Sequence, residues 1–177
     1  MPNGKIHDAV TLALTVPVCA TAYVMTGSFG SAGVVAASFM FGGLMFGPDL
    51  DTVSVQYSRW GFLKPLWLPY RVFFPHRSRW SHGLLFGALF RIVYFMGVLT
   101  IASFATVFLV ESFRGGKMPE LLEFGRSWDH LGALLRSNFG GNVISAAGIG
   151  LWLGAASHTL TDVAFSYIKT GRRGELL

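Results

Sequence analysis

The sequence predicts an all-α, polytopic membrane protein of about four transmembrane helices with an interfacial loop rich in aromatic and basic residues. Three observations carry that reading. Only 13% of the 177 residues are charged, against about 25% in soluble domains, and the mean hydropathy is +0.51. Four apolar runs, at 9–26, 29–48, 82–110 and 143–168, each reach the roughly 17–25 residues that a helix needs to cross a bilayer. Within these runs every helical face is apolar, which suits lipid better than a soluble core packed on one side. A soluble bundle with four such runs would keep too little polar surface. At this length, four spans leave room for a single membrane-embedded domain, residues 1–177.

The elements follow in order. His7 and Asp8, beside a single Lys5, precede the first run, so it does not read as a cleavable signal. Cys19, the lone cysteine, is a small core residue of that helix and excludes an intrachain disulfide or a cysteine-cluster zinc site. The second run ends in Gly42-Gly43-Leu44-Met45-Phe46-Gly47-Pro48, followed by Asp49-Leu50-Asp51. Gly43 and Gly47 make a small-residue face, matched by Gly150 and Gly154 in the fourth run, so these two helices should touch. Pro48 disfavours helical geometry at Gly47. In an extended segment Asp49 and Asp51 would then point the same way, with Leu50 opposite.

Residues 52–81 hold Tyr57, Trp60, Phe62, Trp67, Tyr70, Phe73, Phe74 and Trp80, five basic residues and no acid. Pro65, Pro69 and Pro75 prevent one long helix. The segment reads either as a headgroup anchor, with rings in the interface and guanidiniums on phosphates, or as a lid that brings a phosphorylated substrate to a site. His76 closes it, and His82 opens the third helix with Ser81 as its N-cap. Arg91 lies inside the third run, so the span begins after it or its side chain snorkels to the near face. Beyond, Leu121, Phe124, Trp128, Leu131 and Leu135 recur at helical spacing, as in an amphipathic helix on the far interface. Asp129 and His130 would be solvated there. His158 and Asp162, four apart in the last turns of the fourth run, share one helical face.

Threading four spans brings the histidines and aspartates at the run ends to one membrane face. His7, Asp49, Asp51, His76, His82, His158 and Asp162 are the candidate ligands of one or two divalent ions. Imidazole nitrogen and carboxylate oxygen suit zinc first, and manganese or iron as well. That face also carries Lys5, Arg59, Lys64, Arg71, Arg77, Arg79, Lys169, Arg172 and Arg173. The lysine and arginine bias therefore puts both termini and the ligands on the cytoplasmic side. The net charge of +5 is answered by anionic lipid headgroups, and membrane lipids are the expected partners without any nucleic acid.

The segments Pro2-Asn3-Gly4-Lys5-Ile6-His7-Asp8, Phe41 to Asp51, Arg59-Trp60-Gly61, Leu68-Pro69-Tyr70-Arg71, His76-Arg77-Ser78, Ser81-His82-Gly83 and Ser157 to Asp162 resemble a family of small bacterial membrane proteins, uncharacterised and metal-binding. A looser pattern of His, Pro-Asp-x-Asp, His-Arg, Ser-His and Asp is similar to the inner-membrane metal-dependent hydrolases. This resemblance implies an inner-membrane location and a hydrolytic reaction.

The expected function is metal-dependent hydrolysis of a lipid or lipid-linked phosphoester at the cytoplasmic interface, a reaction suited to paired ions. Arg77 or Arg79 would hold the phosphate, and Asp8, not itself a ligand, would take the proton. The alternative is a non-catalytic metal that clamps helix ends in a scaffold or assembly factor. An ion carrier would place its ligands near the bilayer midplane, whereas here they gather at one end.

Overall fold

Asn3 opens the chain's first helix, its side chain accepting the Ile6 N–H at 3.2 Å. From there α1 runs Gly4–Thr26 and stops at Gly27, whose φ of +62° is left-handed backbone open to glycine at no steric cost. Ser28 caps α2, Phe29–Leu44, by accepting from the N–H of Ser31. A single 3-10 turn follows at Pro48–Asp51. Three short helical pieces come next: α3 at Val55–Arg59, a 3-10 stretch at Gly61–Trp67 and α4 at Leu68–Phe73. The remaining helices are α5, Phe86–Arg114, α6, Leu121–Phe139, and α7, Val143–Thr170. The computed structural model describes residues 3–74, 83–117 and 120–171, and among them there is no strand.

Three helices, α1, α5 and α7, are long and apolar enough to cross a membrane. The fourth expected span is a correction in length. Leu44 ends α2 after 16 residues, about 24 Å at 1.5 Å per residue and short of the roughly 30 Å hydrocarbon core. The chain leaves helix geometry before Pro48, as the proline predicts.

The predicted contact between the second and fourth apolar helices is present, in a shifted register. A Cβ on Gly150 or Gly154 of α7 would strike the carbonyls of Val35 and Phe39 on α2, and one on Gly42 would strike the carbonyl of Leu151. Gly43 instead faces α1, where a Cβ would lie 2.5 Å from the Thr11 side chain, and Gly47 faces Gln56. Bare backbones thus meet between α2 and α7, and on its other side α2 packs against the Thr11 side chain of α1. Hydroxyls in these tight seams bond to their own helices, Thr11 to the His7 carbonyl at 2.9 Å and Thr161 to that of Ser157 at 2.7 Å. Both hydroxyls therefore have an acceptor.

The aromatic and basic segment departs most from expectation. Tyr57, Trp60, Trp67 and Tyr70 pack with Phe46 and Leu50 into a buried cluster, while Phe62 and Phe73 stay exposed. Trp67 is 0% exposed, stacks on Phe95 at 5.8 Å and meets Phe46 and Trp60 edge-on. The Trp60 indole donates to the Met45 carbonyl at 2.9 Å, and the Tyr94 hydroxyl donates to the Leu66 carbonyl. Each such ring pair adds about 0.5–1.5 kcal/mol beyond its buried area. The prolines do break the segment into short helices, which fold into a cap joining the end of α2 to α5.

Arg91 precedes the most apolar stretch of α5, in which no residue is buried, as one of the two readings expected. It lies inside α5, 2% exposed, within electrostatic reach of Tyr70, Asp51 and Asp49 beneath the cap. Burial pushes the Tyr70 phenol above its ordinary range, against the opposing pull of Arg91. On the far side, α6 is the amphipathic helix that the spacing predicts. None of its residues is buried, and Asp129 and His130 are exposed. The start of the third helix at His82, with Ser81 as cap, falls outside the described residues.

Candidate metal centre

His7 stands in the first turn of α1, and His158 and Asp162 stand one turn apart on α7. Because α1 and α7 both pack on α2, the start of one meets the second half of the other. The helix continues through Thr170, two residues past the expected end of the fourth run. One ligand atom from each of His7, His158 and Asp162 lies within 4.8 Å of the others, and all three residues are buried.

The separations are informative. His7 Nε2 lies 3.3 Å from Asp162 Oδ1, and His158 Nε2 lies 3.4 Å from Asp49 Oδ2 and 3.8 Å from Asp162 Oδ2. These gaps are long for charge-assisted hydrogen bonds, which run about 2.7–2.9 Å. They match the edges of a coordination shell: two ligands about 2.1 Å from one ion at the tetrahedral angle stand roughly 3.4 Å apart. His7 Nδ1 and His158 Nε2 are buried and make no hydrogen bond among the described residues. Buried polar atoms that lack partners need an account, and a divalent cation among imidazoles and carboxylates provides one for His158. The donor set fits zinc, manganese or iron.

Asp49 and Asp51 part company. Successive residues of a 3-10 turn are about a third of a turn apart, so the two carboxylates diverge where an extended segment would have aligned them. Asp49 faces His158 with its side chain 31% exposed. Asp51 is buried, within electrostatic reach of Tyr70 and Arg91. His76, His82, Arg77 and Arg79 lie outside the described residues.

Asp8 sits at the rim. Its two carboxylate oxygens accept from Arg59 at 2.9 and 2.5 Å, and Arg59 also donates to the Leu44 carbonyl at 2.7 Å. The hydrogen bond to Asp8 holds the guanidinium above its ordinary range. This bridge ties the start of α1 to α3 and the end of α2. A cleft of about 290 Å³, lined by Gly4, His7, Asp8, Asp49, Val53, Ser54, Val55, Gln56 and His158, leads to the ligands.

Gln56 is the functional residue that sequence reasoning missed. It is buried, its Nε2 donating to the Gly43 carbonyl at 2.7 Å and approaching His158 Nδ1 at 3.2 Å. The amide therefore fixes the ring that presents Nε2 to the carboxylates. A Cβ on Gly47 would collide with this amide, which gives that glycine its reason. Ser54 supports the arrangement, donating to the Asp49 carbonyl at 2.8 Å and capping α3 at the Tyr57 N–H. One signal was available: Gln56 is the sole amide side chain from Asp49 to Ser81. Losing a partner that orients a metal-bound histidine typically costs about 10–100-fold in affinity. Gln56→Ala should show a loss of that size in competitive metal titration while keeping its helix content, and an unchanged affinity would remove Gln56 from this role.

The family model for "Uncharacterized metal-binding protein (DUF2227)" matches residues 2–172. The chain belongs to that family. The match takes in α1 through α7 and every candidate ligand, so the DUF2227 description applies to the folded unit as a whole. No curated protein and no solved structure matches the chain. Metal binding is thus the function that family membership and the His-His-Asp cluster share.

Proposed function

We propose that this DUF2227 protein is a membrane-embedded, metal-dependent hydrolase acting on a lipid or lipid-linked phosphoester at the cytoplasmic interface. The observation that carries the reading is the cleft, which reaches His7, Asp49 and His158 from outside. A catalytic ion needs an open position, whereas a structural one is closed by protein ligands. His7, His158, Asp162 and Asp49 would hold the divalent ions, which would supply Lewis acidity and lower the pKa of a water for attack on phosphorus. Asp8 takes the proton from the rim. Arg77 or Arg79 would hold the phosphate, because a planar guanidinium suits bidentate contact with it.

The clamp reading is favoured by one observation: His7, His158 and Asp162 are all 5% exposed or less, as in a closed site. An assay separates the two. Detergent-purified protein loaded with zinc or manganese should release product from phospholipid and lipid-linked phosphoesters, and chelation should abolish turnover. Full metal loading with no turnover of any phosphoester or amide would leave the clamp.

Embedding is tested on its own. α1, α5 and α7 are proposed to cross, with α2 as a short fourth crossing and both termini cytoplasmic. Cysteines placed at Ser58 on α3 and at Ser112 near the end of α5, both exposed, should label from opposite faces of sealed membranes. Labelling of both from one face would overturn the topology.

A further inference from the structure

We infer that the centre holds two ions, one addressed by each histidine, with the Asp162 carboxylate bridging them. The inference rests on the metal-site reading above and goes further on ring geometry. His7 and His158 stack with centroids 3.7 Å apart and planes only 8° from parallel. An imidazole lone pair lies in its ring plane, so two parallel rings aim their lone pairs within two separate, parallel planes. A single ion midway between them would stand about 1.8 Å out of each plane. With a bond of only about 2.0–2.1 Å, each bond would leave its ring plane by roughly 60°, where the nitrogen offers no lone pair.

The carboxylate agrees. Asp162 presents Oδ1 to His7 Nε2 at 3.3 Å and Oδ2 to His158 Nε2 at 3.8 Å, a different oxygen for each ring. That is the disposition of a bridging ligand. Two-metal hydrolytic sites keep their ions about 3.5–4 Å apart, and the 3.7 Å ring spacing falls in that range. Asp49 Oδ2, 3.4 Å from His158 Nε2, belongs to the His158 ion alone. The cleft is lined by His7, His158 and Asp49, so both ions would face it.

Manganese is the probe. The full chain in detergent would be stripped by chelator, reloaded with Mn²⁺ and read by elemental analysis and electron paramagnetic resonance. The parent should bind two ions per chain with a spin-coupled signal. His7→Ala and His158→Ala should each keep one ion, with the uncoupled signal of an isolated centre. Asp162→Asn should lose the coupling. One ion per chain in the parent at saturating metal, lost altogether in either histidine variant, would overturn the inference and leave metal binding intact. A parent that binds no manganese or zinc at all would overturn both. Should a variant lose its helical circular dichroism, the parent's stoichiometry and coupling decide alone.

Discussion

A valine at Gly154 is expected to force α2 away from α7 and to lower unfolding stability by about 3 kcal/mol. The obstruction is backbone: the new Cβ would run into the carbonyl of Phe39 and lie 2.8 Å from the Gly43 nitrogen. A flexible side chain could swing aside, but two helix backbones in contact must separate along their length. The same valine at Gly148, where nothing lies within 4 Å, should change stability by less than about 0.5 kcal/mol, since valine and glycine both lie low on the helix scale. Thermal unfolding of the two variants in one detergent measures the difference. Equal melting temperatures would mean that the α2–α7 seam does not hold the protein together. Gly154→Val should also weaken metal binding, because Asp49 and the carbonyl that holds Gln56 both follow the end of α2.

The second large effect is on turnover. If the centre hydrolyses a phosphoester, Arg77→Ala or Arg79→Ala should lose about 10²–10³ in rate, the usual cost of removing a contact to charge that grows in the transition state. Neither arginine is a metal ligand, so both variants should keep full metal content. Removing a ligand cannot make this distinction, because it disturbs metal, fold and activity together. Elemental analysis beside single-turnover rates gives the comparison. Two variants with parental rates would take the anion-holding role from both arginines.

Much of this was legible in the sequence, for reasons that particular residues make plain. His7, His158 and Asp162 could be found because ionisable groups beside apolar runs are costly to place and are seldom there by accident. The pairing of α2 with α7 was legible from spaced glycines, but not its register. Gly42 and Gly43 are adjacent, and spacing alone does not tell which of the two faces which helix. The parallel alignment of Asp49 and Asp51 failed on one backbone choice, since a 3-10 turn and an extended segment are both compatible with Pro48 yet send alternate side chains in different directions. The aromatic segment was ambiguous in a deeper way. Tryptophan and tyrosine suit a headgroup layer and a dry core equally well, and only the meeting of Phe46, Trp60, Trp67 and Phe95 decides between them. Gln56 carried no metal-ligand chemistry to draw attention to it.

The centre is assembled from the first helix and the last, and that has a consequence in time. His7 and His158 are separated by 151 positions, which a ribosome working at about 5–20 residues per second takes roughly 8–30 s to add. Throughout that interval α1 has been made and its histidine has no partner. Metal capture therefore comes late in biogenesis, after α7 has docked on α2. A nascent chain stalled before α7 would carry His7 and Asp49 but could not build the centre. Metal content would then report that the last helix has arrived.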